Sequence, residues 1–152
     1  MTATLTCAKS PAAQFVYGEV DRQNRHLHNS AALGMEHLVR EELTDLWDEC
    51  SQPGWDGYNA LPVTWETYQA ARRFLLAFPA RTPLPSLGAD PDGDISFEWH
   101  RAPRRTLSVS ITPDEQLHYA ALLGPGRTSG TEPFYGEVPQ RILDLIGEVY
   151  TC

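Results

Sequence analysis

Three runs in the second half of the chain alternate between apolar and polar residues. Ile95, Phe97 and Trp99 alternate with Ser96 and Glu98, and Leu107, Val109 and Ile111 alternate with Thr106, Ser108 and Ser110. After the turn Pro113-Asp114-Glu115, Leu117, Tyr119 and Ala121 continue the pattern. A period of two sends alternate side chains to opposite faces of a sheet, so three such runs predict an antiparallel meander with one buried and one polar face. Asp92-Gly93 marks the turn into the first run, Pro103 lies near the next turn, and residues 130–134 are suited to a fourth strand.

A half-buried sheet needs a second layer, and helices supply it. Met35, Val39, Leu43, Leu46 and Cys50 recur at helical spacing with Trp47 at the edge of that face, which predicts a helix over 35–50 ended by Pro53 and Gly54. Thr64 is a fitting N-cap for a second helix, with Glu66 in its first turn, an apolar side of Tyr68, Ala71, Phe74, Leu75 and Phe78, and Pro79 as its stop. Pro83 and Pro85 predict a stiff connector. Pro139 suits the first position of a last helix whose apolar face is Ile142, Leu143, Leu145, Ile146 and Val149. The expected fold is therefore α+β in the order α-α-β-β-β-(β)-α. A three- to four-stranded antiparallel β-meander packs with about three helices as a two-layer sandwich. Residues 1–33 are weakly patterned and are expected to form a weakly ordered N-terminal arm, with 34–152 as a single domain.

A chain of about 150 residues buries roughly 68–70% of its unfolded surface, so this one needs no covalent staples. Its three cysteines, Cys7, Cys50 and Cys152, are far apart and make no disulfide framework. No basic start with an apolar run opens the sequence, and no stretch approaches ~18 apolar residues, so a cytoplasmic protein with no membrane span is expected. Twelve Lys and Arg against 20 Asp and Glu give a net charge of −8, which disfavours direct binding to a phosphate backbone and suits a protein partner with a basic surface. A homodimer is compatible with these features.

No cluster matches a known catalytic or metal-binding pattern. His26, His28 and His37 fall short of a zinc ligand set. Asp90, Asp92 and Asp94 begin like a calcium loop, but the bend glycine of its sixth position is absent, Gly93 comes too early, and Arg101 stands where its last carboxylate belongs. The stretch Gly124–Gly130 lacks the Lys-Ser/Thr ending of a phosphate loop, and there is no Gly-x-Ser-x-Gly elbow. No catalytic residue, metal ligand or cofactor is expected.

The candidate binding residues are of three kinds. Glu41, Asp45 and Asp48, at i, i+4 and i+7 and flanked by Glu42 and Glu49, predict a negative stripe on the first helix. Trp55, Asp56 and Tyr58, with Trp65 beyond, surround the Gly54–Pro62 loop, as either a plug closing the core or a recognition edge. Arg101, Arg104 and Arg105 at the first hairpin, with Arg127, are the residues a nucleic-acid contact would use. The polar sheet face of Ser96, Glu98, Ser108, Ser110 and His118 would line a ligand pocket if it were uncovered and concave.

Gly54-Trp55-Asp56-Gly57-Tyr58 with Ala60 and Pro62, Asp92-Gly93-Asp94-Ile95 with Glu98-Trp99, and Ser129-Gly130-Thr131-Glu132-Pro133-Phe134 together resemble a widespread set of small uncharacterised bacterial and phage proteins, over about residues 35–150. The resemblance implies no catalytic residues. Its association with mobile elements implies a regulatory or anti-defence role. The expected function is a non-enzymatic protein-binding regulator or inhibitor, such as a phage or mobile-element protein of the anti-CRISPR kind. Glu41, Asp45, Asp48, Glu49, Trp55, Asp56 and Tyr58 would bind the partner. An antitoxin or immunity protein, or a small-ligand-binding or enzymatic domain using the polar sheet face, are the alternatives.

Overall fold

The alternating runs become a five-stranded antiparallel meander in the order β1-β2-β3-β4-β5, in a computed structural model that describes residues 34–151. The expected N-terminal arm, with Cys7, His26 and His28, and Cys152 lie outside the described residues. The strands are β1 (Ser86–Ala89), β2 (Ile95–Ala102), β3 (Arg105–Ile111), β4 (Gln116–Leu123) and β5 (Gly126–Pro133). Register fixes the two faces. Ile95 faces Ile111, which faces Leu117, and Trp99 faces Leu107, which faces Ala121; these rows are buried. The alternate rows, Glu98–Ser108–Ala120–Ser129 and Ser96–Ser110–His118–Thr131, form the polar face.

Two strands depart from the expectation of three to four. Pro83 and Pro85 precede a short edge strand, β1, in which Ser86 to Ala89 pair with Glu98 to Ile95. Neither proline occupies a ladder position, so no sheet hydrogen bond is lost. The connector is fixed by the buried Trp99, whose Nε1 donates to the Pro83 carbonyl at 2.7 Å. At the other edge, β5 begins at Gly126, four residues before the expected start at 130. Gly130 sits inside it because Tyr119 takes the space: a Cβ at Gly130 would stand 2.5 Å from the Tyr119 hydroxyl oxygen.

Helix α1 runs through Gly34–Leu38 in α geometry, Val39–Leu43 in π geometry and Thr44–Cys50 in α geometry again. Helices α2 (Trp65–Leu76) and α3 (Gln140–Tyr150) complete the layer. Thr64 caps α2, accepting from the Thr67 N–H at 3.3 Å. Pro139 stands one residue before the first helical residue of α3. Among the described residues no helix is long and apolar enough to cross a membrane.

The π stretch changes which residues of α1 meet the core. The expected face was Met35, Val39, Leu43, Leu46 and Cys50, yet Gly34 and Leu38 are buried while Met35 and Leu46 are only half-buried. A π turn bonds i to i+5, so the five-residue step from Leu38 to Leu43 stays on one side. The Thr44 hydroxyl donates to the Val39 carbonyl at 3.4 Å within this widened turn. Below α1 and α2, Phe74 is fully buried, with its ring centroid 5.0 Å from that of Phe97 and 5.6 Å from that of Phe134. Ile142, Leu145, Ile146 and Val149 of α3 join the same core.

Candidate partner-binding surface

Helical spacing alone places the acidic residues on the side of α1 away from the core, and the folded chain exposes all of Glu41, Glu42, Asp45, Asp48 and Glu49. Glu41 has one neighbour of opposite sign when His37 is protonated, the Nδ1 atom at 3.6 Å. Among the described residues the other ion pair joins Arg73 to Glu115, elsewhere on the surface. Glu42, Asp45, Asp48 and Glu49 therefore have no cation within ion-pair distance among the described residues. Their field points into solvent.

The Gly54–Pro62 loop is held by its own groups. Gly54 and Gly57 take φ of 70° and 81°, a left-handed conformation that side chains resist. Asp56 Oδ1 accepts from the Tyr58 N–H at 2.9 Å and the Ala60 N–H at 3.2 Å, and the Gly54 N–H donates to the Ala60 carbonyl at 2.8 Å. Trp55 Nε1 donates to the Leu61 carbonyl at 2.9 Å while its ring packs against the core. The loop is thus a plug at Trp55 and an exposed edge at Tyr58, which is 84% accessible.

The same loop docks on the turn between β1 and β2. Leu61 N–H donates to the Pro91 carbonyl at 2.8 Å, and Gly93, at φ 91°, leaves only 2.9 Å between a built Cβ and the Pro62 carbonyl. The Gly54–Pro62 loop and the turn at Gly93 are therefore one structural unit, and their glycines and Asp56 shape it.

Trp65 belongs to a different group. Its ring centroid lies 5.3 Å from Trp47 of α1 and 5.1 Å from Tyr68, and Trp47 and Tyr68 are 5.4 Å apart. Trp65 is 52% exposed, so the cluster reaches the surface there, and its half-buried member Trp47 precedes Asp48 in sequence. Sequence reading missed this cluster as a unit. Its one signal is that Trp47 sits at the edge of the helix face and Trp65 and Tyr68 are spaced i, i+3.

The remaining candidates separate. Arg104 Nε donates to the Gly124 carbonyl at 2.6 Å, and Arg105 Nη1 donates to the Glu148 carbonyl of α3 at 2.8 Å. The Arg104 guanidinium joins the β2–β3 turn to the β4–β5 turn, that of Arg105 ties the sheet to α3, and Arg101 is half-buried beside them in sequence. On the polar sheet face a cavity of about 510 Å³ is bordered by Thr106, Ser108, Ala120, Leu122, Arg127 and Ser129. Of the expected lining only Ser108 takes part, because the cavity lies over β3, β4 and β5 at the end away from Ser110 and His118.

Near the opposite end of that face, Ser110 Oγ donates to Asp90 Oδ2 at 2.8 Å. Desolvation first, and then the charges of Asp92, Asp90 and Asp114, push the Asp94 carboxyl up to about 6, against a smaller opposing effect of His118. The described residues hold no group of three or more His, Cys, Asp or Glu able to bind a metal ion. Cys50 is buried, and burial followed by the Glu49 charge raises its thiol pKa, which disfavours the reactive thiolate.

Comparison with protein-family models, curated proteins and solved structures finds no match.

Proposed function

We propose that this protein is a non-enzymatic binding module that engages a basic partner protein through the acidic side of α1 and the aromatic groups beside it. The observation that carries the reading is the row of exposed carboxylates, of which Glu42, Asp45, Asp48 and Glu49 have no ion-pair partner among the described residues. Such a field speeds association with a basic surface and orients the encounter. Exposed Trp and Tyr supply the anchors that charge alone lacks; Trp65, against Trp47 of α1, and Tyr58 of the loop after α1 are both exposed. Within this reading, an inhibitor carried by a phage or mobile element, of the anti-CRISPR kind, covers a basic groove of a host defence complex. An antitoxin or immunity protein covers a basic toxin site by the same physics.

The test is affinity capture from lysate with the wild-type chain and with Glu41→Lys/Asp45→Lys/Asp48→Lys. Partners with basic surfaces are expected on the wild type and lost from the triple variant. Capture of the same partners by both removes the acidic face from the mechanism.

The cavity on the polar sheet face supports a second reading, a small-ligand domain, with Ser108 and Arg127 as its polar contacts. Its volume falls in the range of about 300–1,000 Å³ common to ligand sites. A crystal soaked with a fragment library checks it, and no fragment bound at Ser108 counts against it.

A further inference from the structure

The groove between α1 and α2 brings together residues that the acidic-face reading does not use. Glu36, Arg40 and Thr44 follow one another at i, i+4 and i+8 along α1, and Tyr68, Arg72 and Leu76 do the same along α2. These two lines border a cavity of about 390 Å³, to which Val39 also contributes. That is large enough for a small organic ligand.

We propose that this groove is a binding site for a small monocarboxylate with an apolar body. Charge is the first argument. In a chain with a net charge of −8, two arginines from different helices border one cleft. Neither has a carboxylate within ion-pair distance among the described residues. Two like charges beside one cleft repel each other, and an anion between them reverses that sign. Guanidinium groups suit this task because their planar donors match the two oxygens of a carboxylate.

The walls are the second argument. Leu76, which is 43% exposed, and the half-buried Tyr68 offer apolar surface. The lining is otherwise polar, with Arg40, Arg72 and Thr44 converging on the cleft, so charge recognition leads and the apolar patch selects the body of the ligand. Glu36 limits the charge: two guanidinium groups against one carboxylate leave a single excess positive charge, which matches a monoanion better than a polyanion.

The backbone is the third argument. Val39 and Arg40 lie in the π stretch of α1, which displaces them from the positions a continuous α-helix would give. Such interruptions are frequent at functional sites. Thr44 Oγ1 and the Tyr68 hydroxyl stand 3.3 Å apart across the two helices.

Benzoate is the probe, titrated into the full chain and followed by amide chemical shifts. Saturable shifts are expected at Val39–Thr44 and Tyr68–Leu76, with far smaller ones from benzamide and from inorganic phosphate. Arg72→Gln and Arg40→Gln, both exposed sites, are each expected to weaken benzoate by about tenfold while leaving distant amides in place. The absence of a saturable shift overturns the site. Equal binding of benzamide overturns the role of charge, and equal binding of phosphate overturns the apolar body. Unchanged affinity in both folded variants overturns the arginines. None of these outcomes depends on the acidic face, because benzoate binding is read without any partner protein.

Discussion

Replacing Asp94 by Asn should stabilise this protein at neutral pH and do nothing in acid. The carboxyl of Asp94 lies among Asp90, Asp92 and Asp114, and its main perturbation is desolvation. Its rise from 3.8 to about 6 corresponds to ~3 kcal/mol if taken at full value. Asp94 keeps substantial contact with solvent, so screening reduces this to about 1 kcal/mol.

The sign follows from proton linkage. Between pH 4 and 6 the folded chain holds a proton at Asp94 that the unfolded chain has released, so stability from this group is full below about 4 and is lost as pH rises through about 6. Asn has no charge to desolvate. It also keeps the turn, because the Asp90 N–H donates to the backbone carbonyl of residue 94 at 2.9 Å. Urea unfolding across the pH range measures the difference. Asp94→Asn should gain about 1 kcal/mol near pH 7.5, a rise in Tm of about 2–4 °C, and match the wild type near pH 4. A loss of stability at pH 7.5, or a gain that is the same at every pH, would refute the assignment of strain to the ionised carboxyl.

The two glycine sites offer a paired test. Gly93→Ala meets both a positive φ and the Pro62 carbonyl, whereas Gly57→Ala meets a positive φ in open space. Calorimetry should show a cost of about 1–2 kcal/mol for Gly57→Ala and a larger cost for Gly93→Ala. Phe74→Ala removes the ring shared by β2, α2 and the segment after β5 and should cost about 3–5 kcal/mol, measured as a lower urea midpoint.

The sheet was legible because period two is a local signal that register merely aligns. Ile95, Phe97, Trp99, Leu107, Val109, Ile111 and Leu117 are all fully buried, as their alternation predicts, and only Tyr119 stays half-exposed where it covers Gly130. The edges were less legible. Ser86–Ala89 becomes a strand through pairing with β2, which the prolines before it conceal, and β5 carries few apolar residues to reveal a period.

The acidic side of α1 was visible because exposure of Glu41, Asp45 and Asp48 needs only helical spacing. The π stretch was not, since a change from i+4 to i+5 bonding leaves no mark in composition. Hence Leu38 was missed as a core residue. The Trp47–Trp65–Tyr68 cluster and the groove between Arg40 and Arg72 depend on how two helices cross, and single-helix periodicity holds no information about that. The loop was half legible. Its glycines and aromatics announced a fixed structure, but the division between a packed Trp55 and an exposed Tyr58 came from the Asp56 hydrogen bonds.

The central claim is that the exposed carboxylates of α1 draw in a basic partner. Its most direct test is the association rate of a captured partner with the wild type and with Glu41→Lys/Asp45→Lys/Asp48→Lys, measured at low and moderate salt. The account predicts a fall of about tenfold or more in the association rate at low salt, shrinking as salt rises, with dissociation little changed. Equal association rates for the two proteins at low salt would contradict it.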